Sequence, residues 1–186
     1  MTEKTFYTRG GDTGHTGILG EGRVLKSDLR IEAIGAVDEA NAALGLFRSF
    51  LDKEDALSAS VLAIQKKLYF VMSDLASLDA ADERFVKLST SDVLWLEQEI
   101  KFLEENLDIP REFMVPGDHP LAALMDMART IVRRAEREIV QFYQAFPGRN
   151  SAVLQFLNRL SSYCYLLEIH VLQIKKDITI TSVKDI

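Results

Sequence analysis

From Arg30 onward, apolar residues recur at spacings of three and four, the period of a helix that buries one face. Five such segments can be traced. The first runs from about Arg30 to Leu51, with Ile34, Val37, Ala40, Leu44 and Phe47 on one stripe. The second covers about Lys53 to Leu78. The third opens at the cap-forming cluster Ser89, Thr90, Ser91, Asp92 and ends near Leu107. The fourth spans about Pro120 to Ala145, with Leu121, Leu124, Ala128, Ile131 or Val132, Ala135 and Ile139 facing inward. The fifth runs from about Asn150 to Lys176. Pro110, Pro116, Pro120 and Pro147 fall in the connections. Period-two alternation is confined to the short tail Ile178, Thr179, Ile180, Thr181. The pattern predicts an all-α fold, a five-helix bundle with a glycine-rich N-terminal arm. It divides residues 1–186, as a single domain, into an arm (1–28), a bundle (29–176) and a tail (177–186).

Composition changes this picture little. The chain has 186 residues, 47% of them hydrophobic and 27% charged, which suits one soluble domain with a substantial core. A net charge of −6 argues against a general nucleic-acid or anionic-membrane surface. No signal-peptide-like start and no uncharged run long enough to span a bilayer is seen, so a cytoplasmic setting is expected. The single cysteine, Cys164, excludes an internal disulfide and sits in an apolar pattern that reads as core.

The arm breaks the helical pattern. Six of the ten glycines fall between Gly10 and Gly22, within a stretch beginning TRGGDTGHTG at Thr8. Glycines allow close backbone approach to a ligand and can turn N–H groups toward phosphate oxygens. Thr8, Thr13 and Thr16 add hydroxyls, Arg9 a guanidinium fork, and Lys26 follows. The spacing is not that of a Walker loop, and no strand precedes it as in a dinucleotide fingerprint. On composition alone, a phosphate cradle and a flexible terminal arm both fit.

Three other polar groupings lie on helices. Arg129, Arg133 and Glu136 share a face beside the apolar stripe of the fourth helix, where cations are partly buried or belong to a solvated face. Asp38 and Asn41 border the stripe of the first helix; Asp38 suits either a partner for one of those arginines or a surface position. Asn158 falls among Leu154, Leu157 and Leu160, where a polar side chain needs hydrogen bonds. Residues 113–117, FMVPG, form a short strand-like piece in which Phe113 reads as core. His15, His119 and His170 are isolated and give no metal-binding spacing.

Taken in order, these stretches resemble one family. TRGGDTGHTG (8–17), GEGRV (20–24) with Lys26, GAVDEANAALG (35–45), FMVPG (113–117), ARTIVRRAER (128–137) and LNRLS (157–161) are similar to the PduO-type ATP:cob(I)alamin adenosyltransferases over residues 7–162. The chain departs from the family's usual pattern at Ser162, where an acid is common, and in the turn Gly117, Asp118, His119, Pro120.

The resemblance implies a homotrimer with active sites between subunits. It implies transfer of the 5′-deoxyadenosyl group of ATP to cob(I)alamin, giving adenosylcobalamin and triphosphate, with Mg2+ accompanying ATP. On it, Thr8, Arg9, Gly11, Asp12, Gly14, Thr16, Gly17 and Lys26 cradle the nucleotide. The stretch from Arg133 to Arg137, which holds Arg134 and Glu136, supplies cations for its phosphates from the neighbouring subunit, and Asn158 matches a nucleotide-contacting asparagine. Arg129 and Asp38 match an inter-subunit salt bridge, and Phe113 matches a phenylalanine under the lower face of cobalt. A reductase and an adenosylcobalamin-dependent acceptor enzyme are the protein partners such a reaction invites. The alternatives are a cobalamin- and ATP-binding chaperone or sensor without turnover, and a purely structural helical trimer.

Overall fold

The computed structural model describes residues 7, 9–20, 22–175 and 178–185. Among the described residues, five α-helices make up the fold: α1 (Leu29–Arg48), α2 (Ala56–Ala76), α3 (Thr90–Asn106), α4 (Pro120–Ala145) and α5 (Ser151–Ile174). Their starts follow from local chemistry. Each of the first orphan amides needs an acceptor, and Asp28, Asp55, His119 and Asn150 each supply one to the residue two positions on. Ser89 and Asp92 form a reciprocal capping box at α3. Pro120 opens α4 at the position where a missing N–H is harmless.

α4 packs against both α1 and α5, α2 against α1, and α3 against α5. The core runs along these seams, with Val37, Leu44, Phe47, Val132, Ile139, Phe142, Phe156 and Leu160 all fully buried. Two stripes differ from the sequence reading. At the start of α4 the inward positions are Ala122 and Met125, while Leu121 and Leu124 are half-buried. From Ala128 back to the helix start the buried positions follow steps of three, through Met125 to Ala122, so the first two inward positions lie one residue beyond Leu121 and Leu124, while Ala128, Val132, Ala135 and Ile139 face inward as expected. In α1, Ala33 and Ala36 are buried and Ile34 only half-buried. Cys164 is fully buried, and that burial pushes its thiol up to about 12, in keeping with a core role.

The arm is more ordered than its composition suggests. β1 (His15–Gly17) and β2 (Arg23–Leu25) form a small antiparallel hairpin with His15 opposite Leu25. Three-residue strands leave no periodicity to read. Among the described residues, no helix is long and apolar enough to cross a membrane.

Candidate active site

Two regions carry the residues singled out by the sequence. The first is the arm. Arg23 closes it by donating from its guanidinium to the carbonyls of Gly10 and His15. Gly14 sits at φ 77°, a left-handed conformation that favours glycine, and its carbonyl accepts from Lys26 N at 2.8 Å. A Cβ on Gly11 would come within 3.1 Å of the Lys26 ammonium, so the missing side chain lets that cation lie against the arm's backbone. Arg9 also has positive φ, at 57°, and its guanidinium lies over the Tyr7 ring. Asp12, Thr16 and Gly17 belong to the same turn and hairpin. Thr8 lies outside the described residues.

The arm is seated on the end of α2. Leu19 N donates to Ala76 O at 3.0 Å, and Leu78 N to Leu19 O at 3.4 Å. The α2 carbonyls there are orphans that need donors. Arg30, buried, donates to Leu75 O and Ser77 O, and Arg149 donates to Ser77 O and Leu78 O. Arg23, Arg30 and Arg149 were not picked out from the sequence. Each bonds main-chain carbonyls, Arg23 within the arm and Arg30 and Arg149 far along the chain, and no spacing rule reports such a bond.

The second region is a pocket of about 590 Å³ walled by α4, α5, the end of α3 and the 109–116 connection. Its apolar side carries Ile109, Phe113, Met114 and Pro116; Tyr165 and Leu166 come from α5, with Ser161 and Ser162 beside them. Arg129 and Arg133 supply cations, and Glu104, Asp126 and Glu168 carboxylates. Phe113 is 83% exposed and is therefore not a core residue, contrary to the sequence expectation. The physical reason is its tether. Val115 N donates to Thr181 O, Val183 N donates to Phe113 O, and Asp118 accepts from both the amide and the hydroxyl of Thr181. The two strand-like stretches seen in the sequence, 113–117 and 178–181, thus hold each other at the pocket edge, with Met114 bridged to Ser182. Lys184 pairs with Glu112 beside them.

The charged residues of α4 separate by partner. Arg129 donates from Nε to Asp126 Oδ1 at 2.8 Å, and one Nη lies at the same distance from that oxygen in an ion pair. Arg134 pairs with Glu39 of α1, and Arg137 donates to the Arg133 carbonyl. Asn158 is exposed, not packed among leucines; it donates to Glu136 at 3.0 Å and accepts from Arg159. Asp38 is exposed on α1, and within one chain Arg129 is held by Asp126 instead. The arm and the α4 cations thus occupy separate regions of the chain, the arm bonded to itself and to the end of α2.

Glu168 is the titratable group that sequence reasoning missed. It is only 3% exposed yet belongs to the pocket wall. Burial, then repulsion from Asp126, raises its carboxyl to about 7, with Arg129 offsetting part of the rise. The folded chain therefore keeps a proton that the unfolded chain has already lost, so this group's contribution to stability falls as pH rises from the usual glutamate range through about 7. The pocket opens to water, which reduces the effect to about 1–2 kcal/mol. Glu168→Gln should be more stable than the native chain by that amount at about pH 8, with the difference vanishing toward about pH 4. Thermal midpoints across the range check this.

A model of the family described as cobalamin adenosyltransferase matches residues 6–171. The corrinoid adenosyltransferase of Bacillus subtilis (strain 168) is 36% identical over 163 residues, covering 86% of this chain and 82% of the relative. That of Mycobacterium leprae is 32% identical over 168 residues, covering 87% and 88%. Among solved structures, a variant PduO-type ATP:corrinoid adenosyltransferase from Lactobacillus reuteri complexed with cobalamin and ATP superposes with a TM-score of 0.85 at 34% identity, covering 97% of this chain and 99% of that one. With its five helices, glycine-rich arm and pocket as described, this chain belongs to the cobalamin adenosyltransferase family.

Proposed function

We propose that the chain is a corrinoid adenosyltransferase that joins the 5′-deoxyadenosyl group of ATP to cob(I)alamin. The cobalt(I) electron pair attacks the 5′ carbon. A cobalt–carbon bond forms, the carbon–oxygen bond breaks, and its electron pair leaves on triphosphate. The metal is the nucleophile, so no side-chain nucleophile or base is required, and the enzyme contributes position and electrostatics. The observation that carries this reading is the pocket itself, with an exposed phenyl ring on its apolar side and Arg133 on its cationic side. The charge growing on triphosphate calls for Arg133, Arg134, Arg137 and Lys26. On this reading Mg2+ enters on the phosphates of ATP as part of the substrate. Cobalamin reduced chemically and mixed with MgATP should convert to adenosylcobalamin, followed by visible absorbance, with release of triphosphate. Binding of both substrates without conversion would instead make the chain a chaperone or sensor of the same fold.

The working assembly on this reading is a homotrimer in which the arm of one subunit, through Arg9, Gly11, Asp12, Gly14, Thr16, Gly17 and Lys26, faces the α4 cations, Glu136 and Asn158 of the next. Two observations support it. Leu46 is exposed on α1, Phe50 in the turn just after it and Met127 on α4, apolar side chains that a neighbour would cover. Arg129 uses Nε and one Nη on Asp126, which leaves the rest of its fork for a second carboxylate, and Asp38 lies exposed on α1. Asp38→Asn and Arg129→Ala should each lower turnover, because breaking one side leaves a partly desolvated charge. The double variant should lose less than the sum, by about 1 kcal/mol or more in a double-mutant cycle. Strict additivity, or a monomer at micromolar concentration by sedimentation equilibrium, would count against the bridge.

A further inference from the structure

A glutamate in the middle of an apolar helix face needs a reason. Glu168 lies between Leu167 and Ile169, both fully buried, and is itself nine-tenths hidden. Among the described residues, no hydrogen bond reaches its carboxyl. The nearest cation, Arg129, is already committed to Asp126 through two of its nitrogens. The other charged groups around this part of the pocket are Asp126 on α4, Glu104 at the end of α3, and Arg133 farther along α4, with the Tyr165 hydroxyl on α5. Glutamine would fill the same space without a carboxyl to desolvate, so fold stability alone does not favour glutamate here.

What the carboxyl lacks is a donor, and the open side of Glu168 is the pocket. A corrin rim is studded with carboxamide arms, each carrying N–H donors. We infer that Glu168 is a specificity-determining residue that accepts a hydrogen bond from a peripheral carboxamide of the corrin and disfavours corrinoids carrying a free carboxylate at that arm. The inference rests on the pocket's being the corrin site. Glu104 adds to the bias: with Arg129 and Asp126 paired to each other and Arg133 assigned to the triphosphate, an incoming acid meets free carboxylates and, among the described residues of the pocket, no free cation to offset them. An amide arm meets an acceptor, whereas a carboxylate arm meets like charge in a partly dry wall. Because burial raises this carboxyl to about 7, the discrimination should weaken as pH falls and Glu168 takes up a proton. The substrate's own carboxylate, with an ordinary acid range, stays ionised over the same interval.

The test compares affinities of the MgATP-loaded protein for cob(II)alamin and for the isomeric cobalamin monocarboxylic acids, each with one rim carboxamide hydrolysed. Binding is read by visible absorbance at about pH 8 and about pH 6. The native protein should prefer the intact corrinoid over one isomer by about tenfold or more at the higher pH, and by less at the lower. Glu168→Gln should bring the two affinities together at both values while binding MgATP normally. If that variant fails to fold, the pH dependence of the native preference decides the matter. Equal affinities for every isomer in the native protein, a preference unchanged by Glu168→Gln, or a native preference independent of pH would each overturn the inference. Failure of the native protein to bind cob(II)alamin at all would bring down the corrin reading of the pocket, a result distinct from tight but indiscriminate binding.

Discussion

Arg133→Ala is expected to lower kcat/KM for MgATP at least tenfold while leaving the thermal midpoint where it was. The two halves of this expectation have different origins. Arg133 is exposed, and among the described residues no carboxylate pairs with it, so its removal strands no buried charge and opens no core cavity. Its neighbours are placed otherwise: Arg134 is held by Glu39 and Arg137 by the Arg133 carbonyl. Arg133 is thus the cation whose fork stands open toward a ligand at the pocket wall. A charge-assisted hydrogen bond contributes roughly 1.5–3 kcal/mol, and about 1.4 kcal/mol is a factor of ten. Because charge builds up on triphosphate as the carbon–oxygen bond breaks, part of the loss should fall on kcat as well as on KM. Arg133→Lys should recover only part of the activity, since an ammonium restores the charge but not the planar fork. Unchanged kinetics in the alanine variant would remove Arg133 from the site.

The sequence disclosed the helices because their faces are buried along their whole length. α4 begins and ends where its pattern predicted, and the other boundaries fall within a few residues. Ser89 and Asp92 announced the start of α3 through cap chemistry that is local by nature. The site was harder to read where it depends on contacts far apart in the chain. Phe113 looked like core because an apolar side chain in a strand-like piece normally is; only its pairing with the tail at Thr181 and Val183 holds it at the surface. Arg30 and Arg149 cap the end of α2 from distant elements. Glu168 lies inside a run of apolar residues, and that placement was the one available signal: an ionisable side chain on a buried face demands either a partner or a purpose. Arg129 and Asp38 reverse the lesson. Helix position left Asp38 either a partner for an α4 arginine or a surface residue, and within one chain Arg129 is held by Asp126, so the proposed bridge rests chiefly on the family resemblance.

Phe113→Ala carries the largest expected effect, and the structure sharpens how it should be read. Cobalt(II) with an axial ligand is hard to reduce, whereas cobalt(I) is four-coordinate. A protein eases the reduction by filling the lower axial position with a group that cannot ligate. A phenyl ring is bulky, apolar and without a lone pair, and Met114 and Ile109 line the pocket beside it. If Phe113 acts in this way, the alanine variant should admit water or the nucleotide base to cobalt(II), leaving five-coordinate species visible by electron paramagnetic resonance. With cobalt(I) supplied chemically in excess, most activity should survive. With cobalt(II) and a biological reductant, the rate should collapse, on the order of a hundredfold. A purely structural role makes a different forecast: truncating a buried phenylalanine typically removes about 3–5 kcal/mol of stability. At 83% exposure Phe113 has no such packing to lose, so its thermal midpoint should stay close to native. Phe113→Leu, apolar and equally unable to ligate but smaller, should fall between the two proteins in the reductant-coupled assay. Equal losses in both assays, together with a large drop in the midpoint, would end the axial-face proposal.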